Sequence, residues 1–556
     1  MTSAVGGRLG AVSRPESNAK RIVALCLVLF GIFLAVPMLI ILYTSLTGPE
    51  GVGLGNFVRA FRDLGLGTIL KNSFATSLGS ALITTTLAFI IAYTVEYTDA
   101  PGLFKRAIRI VAMLPMLLPT ITYGFAIIYA FGKQGLITRL LGGRQLFNIY
   151  GVNGIVLGYI VYTLPVSFVL IENTMRYIDK KFLIISRVLS DRAPRSFFTT
   201  VFRPLLGTLA ASIIQCFFLC FTDYGIPMAV GGRFEVIATA LYGQMLGALP
   251  DFNGGSAIAV MMLIPSCLSI LLLAYMERFN ISYKQVSRVE LTPNKVRDIV
   301  WSVLSILISL LVIGIFATII VVPLVSGWPY DLSLTTKNFA SVFGDSGLVR
   351  VYKNSIVVAL MTALFGTILV YGVGLATVRS KLDTAAAKIT RNIALISNTI
   401  PGMVLGIAYM LTFSGTPLQN TFVLIVICTV IHYYATPYLM MKSSLEKMDP
   451  SWETTARLMG DSWFDTVRRV ITPNAIPTLL EIFRYYFVNA MVTVSAVIFI
   501  VGADTALLTT KIKELEHYQQ FDDIFVLSLL ILVSNLILRA ITRGMMTRRA
   551  KKASAA

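Results

Sequence analysis

The residues here with the type and spacing for chemistry point to mechanics before catalysis. The densest set reads Asp449-Pro450-Ser451-Trp452-Glu453-Thr454-Thr455-Ala456-Arg457-Leu458-Met459-Gly460, then Asp461-Ser462-Trp463-Phe464-Asp465, and closes with Val470-Ile471-Thr472-Pro473. Glu453 and Arg457 stand four apart, so on a helix they share a face and can pair. Gly460 supplies the left-handed residue that ends such a helix. Ser462 with Asp465 resembles a capping box for a second helix, with Asp in place of Glu. Pro473 fits the first turn of the helix after that. The pattern predicts a helix, a break and a second helix: a small rigid elbow. A fainter copy runs from Asp179 through Ser186-Arg187-Val188-Leu189-Ser190-Asp191 and Pro194 to Phe202-Arg203-Pro204. With Asp179 aligned on Asp449, Ser190 takes the glycine position, and the run to Pro204 is one residue longer. Asp191 is expected to tolerate the turn and Pro194 to start the next helix. A solvated basic connector is the plain alternative for either loop.

Catalysis has little to draw on. Of two histidines, His432 sits in an apolar run and reads as a packed helix residue, while His517 lies in a polar loop. The five cysteines (Cys26, Cys216, Cys220, Cys267 and Cys428) lie in apolar runs without a CxxC pair, so neither a metal site nor a disulfide framework is expected. No GxxxxGK[ST] phosphate loop occurs, so the chain is expected to bind no nucleotide or other cofactor and to be no enzyme. Polar and helix-breaking residues inside apolar runs mark a candidate solute path instead. They are Pro119, Thr120 and Tyr123 in the third run, and Asn398, Thr399 and Pro401 in the ninth. Asp223 and Tyr224 follow at the end of the fifth, with Thr493 and Ser495 at comparable depth in the eleventh. An acid near membrane depth is costly unless paired or wet, which singles out Asp223. Kinking and packing, or an interfacial loop position for Asp223, are the structural alternatives.

The elements that must position these residues are membrane helices. The 556 residues are 56% hydrophobic and 13% charged, too apolar for a soluble protein of this size. About twelve runs approach the roughly 20 residues needed to cross hydrocarbon. They cover approximately 22–45, 72–95, 107–131, 151–172, 205–223 and 256–276, then 299–325, 354–377, 391–413, 421–441, 475–500 and 523–541. The sequence is also written twice. Asn56-Phe57, Lys71-Asn72-Ser73, Pro119 and Gly124 recur 282 positions later as Asn338-Phe339, Lys353-Asn354-Ser355, Pro401 and Gly406. A constant offset across several loops and helices argues for a duplicated unit. The expected fold is all-α and polytopic, with two pseudo-symmetric six-helix halves and a route between them. The expected organisation is a tail at 1–21, a first domain at 22–278 with its elbow at 179–204, and a linker at 279–298. A second domain at 299–543, with its elbow at 449–473, and a basic tail at 544–556 follow.

Lys and Arg collect in the amino-terminal tail, the 4–5 loop, the linker and the tail Arg548-Arg549-Ala550-Lys551-Lys552, whereas 413–421 has none. The positive-inside rule then places both termini and both elbows in the cytoplasm. Most of the net charge of +19 is explained this way, with basic residues facing anionic lipid, so no nucleic-acid partner is expected.

The 449–473 string resembles the coupling loop of binding-protein-dependent ABC transporter permeases, whose pattern is Glu-Ala-Ala, three residues, Gly, nine residues, Ile-x-Leu-Pro. The Gly460-to-Pro473 interval matches and Ala456 falls on the second Ala. Thr454 and Thr455 replace Glu and the first Ala, with Glu453 one place earlier; Val470 and Thr472 stand for Ile and Leu. The 179–204 loop lacks the Glu and the Gly. The resemblance covers nearly the whole chain, as a fused pair of permease domains of the type I importer fold. It implies a bacterial inner-membrane subunit without a motor, docked on a dimer of separate ABC ATPase subunits that bind the ATP. It also implies an extracytoplasmic solute-binding protein that delivers cargo. The segment Phe221-Thr222-Asp223-Tyr224-Gly225-Ile226-Pro227-Met228-Ala229-Val230-Gly231-Gly232 looks like that of fused permeases for 2-aminoethylphosphonate, in a group that includes iron(III) and thiamine permeases, with polyamine permeases more distant. A twelve-helix secondary transporter is the alternative class, but its Gly-x-x-x-Asp-Arg-x-Gly-Arg-Arg loop is not matched by Glu96-Tyr97-Thr98-Asp99-Ala100-Pro101-Gly102.

Overall fold

The structure, a computed structural model, describes residues 15–48, 51–276, 294–380, 385–397 and 399–555. Helices dominate it. Among the described residues the β structure is two short antiparallel ribbons, Thr47–Gly48 with Gly51–Val52 and Val325–Gly327 with Asp331–Leu334. A backbone in hydrocarbon must satisfy its own hydrogen bonds, so long apolar runs have no alternative to the helix. Among the described residues, eight helices are long and apolar enough to cross a membrane. Two bent pairs raise the count to ten: Gly102–Leu117 with Thr120–Leu140 at 115°, and Phe422–His432 with Ala435–Glu446 at 57°. By length and composition alone, the ninth and eleventh of the roughly twelve expected runs fall short of a single span, for different reasons. Gly402–Phe413 is only 12 residues long, cut off at Pro401. Thr472–Val492 is long enough, but Glu481 and Arg484 lower its hydropathy.

The helices also overrun the expected tails. Pro15–Phe30 begins inside the 1–21 segment, and Phe521–Ala555 continues through nearly all of 544–556. Of the expected linker, residues 279–293 lie outside the described residues, and Lys295–Val321 takes in most of the remainder. Four cysteines are buried, while Cys267 is exposed.

Residues written twice do the same work twice. Asn56 donates its side-chain amide to the carbonyls of Ser45 and Thr47 at 2.9 and 2.7 Å. Asn338 does so to Pro323 and Val325 at 3.2 and 3.1 Å. The hydroxyl of Ser73 accepts the Ile237 N–H at 2.8 Å, and Ser355 accepts that of Leu508 at 2.7 Å. A methyl on Gly124 would strike Ala229, and one on Gly406 would strike the Ala496 carbonyl. The repeat is structural as well as textual.

The compact units do not follow the 22–278 and 299–543 division. One comprises 44–349 with 511–532; the other comprises 1–43, 350–510 and 533–556. In the first, Lys295–Val321 lies on the first-half helices. Thr94 reaches Ser305 Oγ at 2.7 Å and the Trp301 carbonyl at 3.0 Å, and the Tyr93 and Trp301 rings are 4.3 Å apart. Interior contacts there use small polar residues, with Ser212 Oγ 2.6 Å from Ser167 and 3.0 Å from Thr85. Such residues let helix backbones approach closely where lipid offers no hydrophobic drive for association. In the second unit the opening span lies on second-half helices. Tyr409 donates to the Phe33 carbonyl at 2.5 Å, and the Phe30 ring meets Tyr434 edge-on at 4.7 Å. Each half thus contributes its first span to the other half's bundle. Hydropathy marks a segment as a span but carries no record of which bundle it joins.

Candidate functional site

Both elbows form, and they share a backbone plan. The first runs Lys181–Val188, a turn, Ala193–Phe197, a π-helical turn Phe198–Phe202, then Arg203–Thr222. The second runs Ser451–Leu458, a turn, Trp463–Thr466, a π-helical turn Val467–Ile471, then Thr472–Val492. The extra residue of the first loop is absorbed by its short helix, five residues against four. Pro194, Pro204 and Pro473 each sit in a first helical turn, where a missing N–H costs nothing.

The turns close identically. Asp191 N–H bonds the Ser186 carbonyl at 3.0 Å, and Asp461 N–H bonds that of Ala456 at 2.9 Å. The penultimate residue in each is left-handed, Gly460 at φ +86° and Ser190 at φ +57°. This is the Schellman closure. Ser190, not Asp191, therefore carries the turn in the first elbow. Asp191 instead accepts the Ser186 hydroxyl at 2.9 Å and lies 3.4 Å from Arg195. Ser462 caps the second short helix by accepting the Asp465 N–H at 3.2 Å while its hydroxyl donates to that carboxylate. The Ser462 bond holds the Asp465 carboxyl below the usual carboxylate range.

Glu453 is engaged by a residue the sequence did not flag. Arg379, at the π-helical end of the 346–379 span, grips both its carboxylate oxygens at 2.5 Å. The same guanidinium donates to the carbonyls of Leu445, Met448 and Asp449 at 3.2, 2.8 and 3.1 Å. With 5% of its side chain exposed, Arg379 pins the elbow and closes the end of Ala435–Glu446 together. Such planar bidentate pairing is what guanidinium does and ammonium cannot. The Arg457 partner expected for Glu453, and Arg187 in the first elbow, have side chains outside the described residues.

In the first elbow a network replaces this single clamp. Lys180 donates to the Glu96 carbonyl at 2.9 Å and lies 3.9 Å from its carboxylate, over the Tyr97 ring. Burial pulls the Lys180 ammonium below its ordinary value, against the pull of Glu96. Arg109 and Arg176 bridge Glu96 and Glu172, at 3.7 Å from the former and at 2.5 and 3.0 Å from the latter.

Each elbow presents two apolar side chains outward. Leu458 and Met459 are 85% and 78% exposed, and their counterparts Val188 and Leu189 are 78% and 69% exposed. Thr454 and Thr455 are exposed beside them, while Ala456 and Ser186 are buried. In so apolar a chain composition could not reveal these tips; the elbow geometry does.

The pathway candidates fall at breaks in the bundle. Pro119 and Pro401 are the buried N-caps of Thr120–Phe131 and Gly402–Phe413, and neither is assisted by a side chain. Tyr123 is fully buried and donates to the carbonyls of Pro115 and Leu118, spanning its break. Tyr224 is buried, its ring 4.7 Å from that of Tyr242. Asp223 is buried and accepts the Ile226 N–H at 2.9 Å. It thus caps the helix Gly225–Val230. Thr120, Thr399 and Ser495 are half-buried and Thr493 is buried, while Asn398 lies outside the described residues.

Each half thus carries an elbow that ends in two exposed apolar side chains, on a largely helical frame. Residues 368–551 match the family described as binding-protein-dependent transport system inner membrane component. The chain is 27% identical to the putative ferric transport system permease protein FbpB 1 of Haemophilus influenzae over 73% of its own length. It is also 27% identical to the ferric transport system permease protein FbpB of Actinobacillus pleuropneumoniae, again over 73%. The match spans 66% and 60% of those two proteins, less than two thirds of either. A third relative is the probable sulfate transport system permease protein cysT of Helicosporidium, 27% identical over 35% of this chain and 72% of that protein.

Proposed function

We propose that this chain is the transmembrane subunit of an ATP-driven importer in the bacterial inner membrane, with both elbows and both termini in the cytoplasm. A dimer of ABC ATPase subunits docks on the elbows, and an extracytoplasmic solute-binding protein delivers cargo to the other side. ATP is bound by the partners, and this chain contributes the pathway and the levers. The supporting observation is the pair of matched elbows, each anchored by ions at its base and apolar at its tip. An apolar knob on a rigid stem fits a cleft in a partner, and burying it there would transmit the partner's movement to the helix that follows. Glu453, Thr454, Thr455, Ala456, Arg457, Gly460 and Pro473 would serve the second docking point, and Ser186, Arg187, Ser190, Asp191 and Pro204 the first.

For cargo, the 221–232 segment favours a small solute such as 2-aminoethylphosphonate. The relatives named for ferric and sulfate transport make those solutes necessary comparisons. Reconstitution into vesicles with its ATPase and binding protein should give uptake that requires ATP. Uptake by the chain alone, driven by an ion gradient, would overturn the reading.

A further inference from the structure

Two helices of the second half carry arginines along apolar stretches where the first half carries none. Arg484 lies in Thr472–Val492, and Arg539 and Arg543 lie in Phe521–Ala555. The corresponding first-half helices, Arg203–Thr222 and Phe252–Met276, hold no lysine or arginine after Arg203, the opening residue. A guanidinium at such a depth is costly unless it meets water or a counter-charge. Elsewhere the chain supplies the counter-charge: Arg109 and Arg176 share Glu172, and Arg379 holds Glu453.

The helix register brings the three arginines together. The Arg549 guanidinium donates to the Pro473 carbonyl at 3.2 Å, which pins the end of one helix to the start of the other. Arg484 lies three helical turns beyond Pro473 on the same face, about 16 Å away. Arg539 lies about 15 Å back from Arg549 along its own helix. Both side chains therefore reach one level, with Arg543 a turn nearer the pinned end. Arg484 and Arg543 both act on the Arg539 charge, so all three are within electrostatic reach of one another's site. Arg484 and Arg539 are half-buried and Arg543 is exposed, which leaves the cluster accessible. Among the described residues no carboxylate pairs with any of the three, and that includes Glu481, three positions before Arg484. Like charges gathered at reduced dielectric repel one another, and nothing in the chain offsets this.

We propose that Arg484, Arg539 and Arg543 bind a tetrahedral oxyanion of the phosphate type. Its source is a soluble phosphonate, phosphate or sulfate, or the headgroup of an anionic phospholipid. Guanidinium forks match such oxygens in geometry as well as in charge, and a cation would be repelled. The site belongs to one half alone, as a ligand site needs and a repeated structural device does not. It lies on the helix that follows the second elbow, so movement of that elbow would reach the bound anion. The inference deepens the importer reading and rests on it for the anion's part in transport.

The test uses the purified full-length chain in a neutral detergent and has two arms. In one, 2-aminoethylphosphonate, sulfate and inorganic phosphate are titrated by calorimetry. In the other, phosphatidylglycerol is added against a phosphatidylcholine background, and retained lipid is counted by native mass spectrometry. Saturable binding in at least one arm is expected, and the arm that responds identifies the source. Arg484→Gln and Arg539→Gln should each weaken it roughly ten- to hundred-fold. Arg548→Gln removes an exposed cation from the same helix and should leave binding unchanged. Gel filtration reports whether each variant folds. Binding in neither arm, or an equal loss in folded Arg548→Gln, overturns the inference. ATPase docking and ATP-driven uptake, measured on the same preparations, judge the importer reading separately. If they persist without anion binding, the importer reading survives. If no ATPase docks, it falls while the two arms still decide the site.

Discussion

In the second half a cation at the end of the span, Arg379, reaches an acid on the elbow, Glu453; in the first half an acid at the end of the span, Glu96, faces a cation at the elbow's base, Lys180. Arg379 stands 282 positions after Tyr97, so the two clamps occupy nearly equivalent places with their signs exchanged. What both halves retain is an ion pair between span and elbow, whichever side carries the positive charge. What they do not share is redundancy. The second elbow hangs on one guanidinium that also serves three carbonyls, whereas the first spreads its load over Glu96, Glu172, Arg109, Arg176 and Lys180. A single-point anchor is tight and fragile; a network is looser and survives the loss of one member.

The sharpest way to break this contrast is Arg379→Ala. It strands a mostly buried carboxylate and three carbonyls, and removing one member of such a pair costs about 3–5 kcal/mol. Elbow mobility by hydrogen exchange over 449–473 should rise steeply, and ATP-dependent uptake should be lost. Arg379→Lys should recover only part of this, because an ammonium cannot make the fork. Equal protection in wild type and Arg379→Ala would remove the clamp from the account. Next in size is Gly460→Val. A Cβ there would meet no atom within 4 Å, so only the left-handed backbone opposes it, at about 1–2 kcal/mol. Trp452 and Trp463 are two of the four tryptophans, and their fluorescence should report the loosened elbow directly. Lys180→Ala comes third, at about 1 kcal/mol or less, since Lys180 is partly exposed and the rest of its network remains. Loss of uptake as complete as in Arg379→Ala would contradict the redundancy of the first elbow.

What sequence could reveal followed the range of each interaction. Gly460, Ser462, Pro194 and Pro473 act within a turn or two, and each took the role that its type and spacing predicted. The Arg379–Glu453 clamp joins residues 74 positions apart, and spacing alone pointed to the nearer Arg457. Asp223 looked like an isolated acid, although its partner, the Ile226 N–H, lies only three residues on, in a local turn that spacing alone did not reveal. The duplication was legible because repeated residues keep repeated hydrogen bonds. The exchange of first spans was not, since an apolar helix fits either bundle equally well by hydropathy.

The smallest effect tests whether the two turns are the same device. Ser190 and Gly460 close equivalent Schellman motifs, but only glycine adopts a left-handed backbone without strain. Serine costs about 1–2 kcal/mol there, while glycine costs roughly 0.5–1 kcal/mol in the freedom lost on folding. Ser190→Gly should therefore stabilise the first elbow by roughly 0.5 kcal/mol, the difference between those terms. The gain should appear as slower hydrogen exchange at the Asp191 N–H, which closes the turn on Ser186. Because the Ser190 side chain is exposed, no packing is lost to mask the backbone term. Faster exchange in Ser190→Gly would mean that the serine hydroxyl does work in the turn, and that the two elbows reached one shape by different means.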